Sequence, residues 1–270
     1  MIDFDKSFAA YLKKWYAENA DKLTPDEMEE RINSVYEAWA DTRDAKLGVV
    51  PREYFAAIKD GARLVALLFE YTAGKLPPPN ILLDRIAEAP GAENALHNAL
   101  LDPKLETSDK MLAVNLLGER GSEAEYRLYA DWIFDPKIDT ELRELAAEIL
   151  AEHADAVAEY MIARLGGADY EAKDWASCVL VNYPSDNRVY ALLMEMFLTG
   201  ENRQLYAVYL GRYGDERAVP QLCEAAKTCD YVTYSEIMNA LERLGSDAEI
   251  KRDFSRDVNY RKLKGRGQEG

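Results

Sequence analysis

The twelve residues from Asp102 to Ala113, DPKLETSDKMLA, recur thirty-three positions later, from Asp135 to Ala146, as DPKIDTELRELA. The copies share Asp, Pro, Lys, Thr, Leu and Ala, with their apolar positions on helical spacing. A period of this length marks a unit that cannot bury its own apolar face and is stacked against copies of itself. The sequence therefore predicts an all-α chain, a right-handed α-α superhelix (solenoid) of about five to six helix pairs.

Columns support the period. Leu117, Leu150, Leu180, Leu210 and Leu244 end the second helix of successive units, at steps of 33, 30, 30 and 34. Four residues before the first four of them stand Ala113, Ala146, Ala176 and Tyr206. Residues four apart share a helix face, so each pair forms an inward stripe, and Ala admits a close neighbour. Tyr206 departs from this column: packing must shift there, or the ring must find a gap. First helices are predicted over 123–134, 154–165, 187–198 and 216–227, with Ser122, Asp155, Ser185 and Asp215 as cap-type residues near their starts. A more degenerate pair fits 79–101. Asp102-Pro103 and Asp135-Pro136 punctuate turns, because proline cannot continue a helix.

The segment LGRYGDERAVPQL, Leu210–Leu222, resembles the helix–turn–helix junction of HEAT-like repeats, including the short repeats of phycobilisome lyases. Leu210-Gly211, Gly214-Asp215 and Ala218-Val219-Pro220 carry the resemblance. LRELAAEIL, Leu142–Leu150, is similar to the second-helix consensus at Leu142, Arg143, Ala146 and Leu150. The resemblance covers residues 78–249 and implies fold far more than function. The segments WYAEN, EAWADT and PREYF also resemble the N-terminal part of uncharacterised bacterial HEAT-like proteins, which brings no known activity.

Three regions are expected. Residues 1–76 lack the period and read as a helical N-terminal cap for the open end of the array. Its second helix, from Pro25 to Ala40, starts at Thr24 with Pro25 first and Glu27 closing a capping box. Residues 77–250 form the HEAT-like solenoid. Residues 251–270 are basic and lose the helical pattern after about Phe254, so a disordered tail is expected, with a basic arm that folds back on the acidic solenoid or docks elsewhere as the alternative.

Charge narrows the partners. Net charge is −16, and residues 77–250 carry 32 acidic against 15 basic side chains. Duplex binding rests on phosphate neutralisation by Lys and Arg, so no nucleic acid is expected as a partner. No apolar run approaches the roughly twenty residues of a membrane span. The N-terminus puts acids before a short apolar stretch, unlike a secretory leader. Three cysteines, Cys178, Cys223 and Cys229, suit a reducing compartment, and a cytoplasmic location follows as the expectation.

Chemistry has no visible anchor. His97 and His153 lie more than fifty residues apart, with no metal-ligand spacing around either. No nucleophile–base grouping or phosphate loop is present, and no cofactor is expected. The basic column Lys110, Arg143, Lys173 and Arg203 suggests either a phosphate stripe or a set of ties to acids and turn carbonyls. The flanking acids Asp109, Glu144 and Asp174 favour ties. Three residues past each helix anchor come Arg120, His153, Tyr183 and Tyr213, stacked along one edge. Tyr provides rigid area with a polar tip, so Tyr183 and Tyr213 are candidate partner-binding residues with His153. Glu144, Glu148 and Asp174 are candidates on the acidic helix faces. Trp175 and Tyr209 occupy columns that predict burial.

These features point to a non-enzymatic scaffold or adaptor that binds a protein or peptide. Two alternatives come from the resemblance: a cofactor-handling enzyme or subunit similar to HEAT-like bilin lyases, and a HEAT-like DNA glycosylase, which would need a basic channel.

Overall fold

In the computed structural model, which describes residues 2–45, 47–118 and 122–266 (side chains to 262), the chain forms two compact units, Met1–Arg120 and Gly121–Gly270. The described residues are helical with no strand.

The first unit contains α1 (Phe4–Asn19), α2 (Pro25–Glu30), α3 (Ile32–Ala40), α4 (Pro51–Ala56), α5 (Gly61–Ala73), α6 (Asn80–Glu88), α7 (Ala92–Leu100) and α8 (Thr107–Leu117). The capping box at Thr24 forms: Glu27 N–H donates to Thr24 Oγ1, and Thr24 N–H donates to Glu27 Oε2 at 2.8 Å. The single helix expected over 25–40 is instead broken at Arg31, whose N–H bonds Met28 O at 3.2 Å. Phe4 is the hub of an aromatic core, its ring centroid 5.3 Å from Phe55 and 6.5 Å from Trp39. Tyr71 donates to Ile2 O at 2.9 Å and ties α5 to the start of the chain. Gly61 admits a close crossing, since a Cβ there would lie 2.4 Å from Ala92 N and 2.5 Å from Pro90 O.

The second unit contains α9 (Glu123–Phe134), α10 (Thr140–Glu152), α11 (Ala154–Ile162), α12 (Tyr170–Leu180), α13 (Asn187–Thr199), α14 (Arg203–Tyr213), α15 (Val219–Ala226), α16 (Tyr231–Arg243) and α17 (Val258–Arg266). Asp139, Asp169, Asp186, Asn202 and Asp230 cap five of these helices by accepting from first-turn N–H groups, and Ser122 forms a capping box with Glu125. Two expected caps move. His153, not Asp155, stands before α11, and Asp186 rather than Ser185 caps α13. Asp215 caps a 3-10 turn, Glu216–Ala218, that precedes α15.

The duplicated block makes the same turn twice. Lys104 N–H donates to Asp102 Oδ1, and Lys137 N–H to Asp135 Oδ1, both at 2.9 Å. The copies diverge two residues later. Asp139 caps α10 through Glu141 N–H at 3.0 Å, while Glu106, one methylene longer, makes no side-chain cap on α8.

Over the described residues after 250, the basic segment lies against α16. Phe254 is buried against Tyr231 and Tyr234, with ring centroids 5.2 and 4.8 Å away, and Tyr260 of α17 packs on Tyr231 at 4.9 Å. Arg252 donates to Ala226 O at 2.9 Å and to Cys229 O at 2.5 Å, and Asp257 accepts from Tyr231 N–H at 3.1 Å. Helical periodicity is a poor guide here. The segment is held by a few anchors against α16, not by a face of its own.

Candidate functional site

In the second unit α10 packs on α12 and α14 on α16, while side chains of α14 reach α12, and the predicted columns bear on these contacts. Ala146, Ala176 and Tyr206 are all fully buried, as are Leu150 and Leu180. Tyr206 reaches past the small-residue column: its hydroxyl donates to Asp174 on α12, and its ring packs edge-on to Tyr209 at 5.7 Å. Burial, then the Asp174 carboxylate, pushes this phenol well above its ordinary pKa. The gap left by the small-residue role is taken at the next contact by Gly211, where a Cβ would fall 2.7 Å from Ala240 Cα. That close approach joins α14 to α16.

The basic column forms ties. Arg143 is 2% exposed, donates to Ile133 O at 2.9 Å, and meets Glu171 at 3.0 Å. Lys173 reaches Glu195 at 2.7 Å, and Arg203 donates to Leu198 O at 3.1 Å. Each cation thus links a helix to a neighbouring helix or to the turn before it, leaving no phosphate stripe at these three positions.

The loop edge is a ladder of the same kind. His153 stacks on Tyr126 at 4.5 Å, and Arg217 lies over Tyr190 at 4.3 Å, each cover coming from the following helix pair. Tyr160 donates to Asp131 at 2.7 Å and carries Arg164 above its ring at 3.6 Å. Arg188 forks onto Glu159, with nitrogen–oxygen distances of 3.0 and 2.5 Å, and also holds Asp186. That guanidinium, reinforced by backbone N–H groups, brings the Asp186 carboxyl down to about 2. Tyr213 bridges back to the same loop through both its donor and acceptor roles at Asp186.

The six candidates therefore separate. His153, Tyr213 and Asp174 have partners inside the unit. Tyr183 is half-buried, with its backbone N–H on Leu180 O at 2.9 Å. Glu144 and Glu148 are exposed one turn apart on α10. The remaining loop-edge residue of the series, Arg120, lies outside the described residues.

Sequence reasoning missed two features of the second unit. Glu141 and Glu152 are also exposed and complete a stripe with Glu144 and Glu148, spaced three, four and four residues apart on α10. Like charges at these spacings oppose each other on a helix, so the stripe adds nothing to the stability of α10. The second is aromatic. Trp175 and Tyr209 are half-buried, not core, and the Trp175 Nε1 is shielded with no hydrogen-bond partner. The periodicity that places them on inward columns does not reveal that the neighbouring helix leaves one side open. Burial, with Cys178 beside it, raises the pKa of the Tyr209 phenol.

No group of three or more His, Cys, Asp or Glu side chains among the described residues is arranged to hold a metal ion, and no described helix is long and apolar enough to cross a membrane. The three cysteines are free and half-buried. No family model, no curated protein and no solved structure matches the chain.

Proposed function

We propose that the chain is a non-enzymatic scaffold or adaptor, a HEAT-like α-α superhelix whose second unit docks a protein or peptide segment. The carrying observation is the glutamate stripe Glu141, Glu144, Glu148 and Glu152 on α10. A stripe that opposes its own helix contributes where an opposite charge meets it, which favours a partner segment rich in Lys or Arg. The half-exposed Trp175 and Tyr209 supply apolar area with polar tips, the residue types that dominate binding energy in interfaces. His153, Tyr213 and Asp174 serve this reading as the frame that holds the helices in register, while Glu144, Glu148 and Tyr183 remain the candidates for direct contact.

The test compares wild type with Glu144→Lys/Glu148→Lys in capture from a source-cell lysate and in titration with the partner's isolated basic segment. Both positions are exposed and the reversal relieves the like-charge spacing on α10, so thermal stability should not fall. A partner retained by wild type at low salt and lost by the variant supports the reading. Equal retention by both proteins removes this face from the binding site.

A further inference from the structure

The first unit holds a cleft of about 550 Å3 between α1 and the loop that follows α3. This lies within the volume usual for small-molecule sites, roughly 300–1,000 Å3. We propose that it binds an amphiphilic organic anion: a carboxylate or sulfonate carried on an apolar body.

The wall of the cleft is built by hydrogen bonds within the chain. Trp39, 2% exposed, donates its Nε1–H to Ser7 Oγ at 3.2 Å, and the Ser7 hydroxyl donates to Asp44 Oδ2. Asp44 Oδ1 accepts from Leu47 N–H at 2.9 Å. Arg43 donates to Gly48 O at 3.0 Å, fastening the far side of the loop. A site held this way loses little conformational freedom on binding, which favours affinity.

Its lining then selects the ligand. Ala10, Tyr11 and Leu47 offer apolar surface for the body of the molecule. The two acids that line the cleft are both engaged: Asp44 as above, and Asp3 as the N-cap of α1, accepting from Lys6 N–H at 2.9 Å. Three exposed cations, Lys6, Lys14 and Arg43, share the lining. Lys6 and Lys14 lie two turns apart on one face of α1, and the exposed pair of Lys14 with Glu18, 3.7 Å long, holds it only weakly. Arg43 uses one nitrogen on Gly48 O and keeps further N–H donors. In a chain of net charge −16, the lining is locally cationic by a narrow margin: Lys6, Lys14 and Arg43 outnumber the carboxylates of Asp3 and Asp44, whose oxygens already accept from groups of the wall. An anionic head meets these cations while the apolar body covers Ala10, Tyr11 and Leu47. This site belongs to the first unit alone, and nothing in it depends on the proposed docking face.

A matched pair of probes tests it in the full-length chain: 8-anilinonaphthalene-1-sulfonate and N-phenyl-1-naphthylamine, which lacks the sulfonate. Fluorescence titration of wild type should show saturable, one-to-one binding of the sulfonate, at least about tenfold tighter than the neutral amine. Ala10→Phe, at an exposed position, should fill the cleft and weaken both probes at least about tenfold. Lys6→Glu/Lys14→Glu should weaken the sulfonate alone. Circular dichroism melts matching wild type would show that both variants fold, and the charge variant tests the site independently of the filled one. Absence of saturable sulfonate binding overturns the proposal. So does binding that survives both variants, or equal affinity for the two probes.

Discussion

The phenol of Tyr213 donates to Asp186 O at 2.8 Å and accepts from Asp186 N–H at 2.7 Å, so one side chain satisfies both backbone groups of a residue twenty-seven positions away. Asp186 in turn caps α13. A single ring thereby fixes the end of α14 to the start of the preceding helix.

Tyr213→Phe removes that clasp and keeps the ring. Two backbone groups in a part-buried loop lose their partner, which should cost about 1–3 kcal/mol. Urea unfolding followed by circular dichroism should show a lower midpoint with an unchanged slope. A midpoint equal to wild type would mean that water replaces the phenol at no cost.

Arg143→Ala should destabilise the chain by about 2–4 kcal/mol, because it empties a buried volume and strips Ile133 O of its donor. Its Glu171 partner is 54% exposed, so the ion pair itself supplies little of this. Glu171→Gln should accordingly shift the urea midpoint far less than Arg143→Ala. Equal shifts would show that the pair, not the carbonyl tie, holds α10 to its neighbours.

Gly211→Ala places a methyl group against the backbone of Ala240, with 2.7 Å to its Cα, and α14 must move away from α16. A loss of about 1–3 kcal/mol is expected from overpacking. Gly118→Ala is the control. It has nothing within 4 Å, and should be neutral or slightly stabilising. Parallel thermal melts of the two variants decide the matter.

Acid should loosen the loop edge. The Asp186 carboxyl titrates at about 2 in the folded chain, below its ordinary value, because Arg188 and backbone N–H groups bond its charged form. A depressed carboxyl contributes stability that is present above the unfolded value near 3.8 and is lost as pH falls from there toward 2. Asp215, lowered by Arg217, adds in the same direction. Asp186→Asn should therefore flatten the fall in melting temperature between pH 4 and about 2, compared with wild type.

Phe254→Ala tests the folded-back segment. Removing a ring that is 8% exposed and packed on Tyr231 and Tyr234 should cost about 3 kcal/mol and speed hydrogen exchange in α16. Unchanged exchange in α16 would mean that α17 and its linker merely rest on the unit.

Much of the helix map was legible. The Asp-Pro-Lys block specified its own Asx turn locally, so both copies fold alike at Asp102 and Asp135. Capping residues and apolar spacing placed the repeat helices to within a few residues, since both signals act over one turn. The site was less legible. His153 and Tyr213 shared a sequence phase with Tyr183, yet stacking on Tyr126 and the clasp on Asp186 engaged the first two. Those partners lie about twenty-seven residues away, beyond the reach of any local pattern.

By itself, then, the sequence determined what one helical turn can encode: the all-helical state, the helix starts, the columns of Leu, Ala and basic residues, and the acidic surplus. Tertiary structure decided which members of those columns were consumed. Arg143 became a tie, Tyr206 crossed to Asp174, and Phe254 drew the basic segment back onto α16. The reason is that burial and hydrogen-bond satisfaction depend on the neighbouring helix, and a side chain's phase on its own helix does not say what stands opposite.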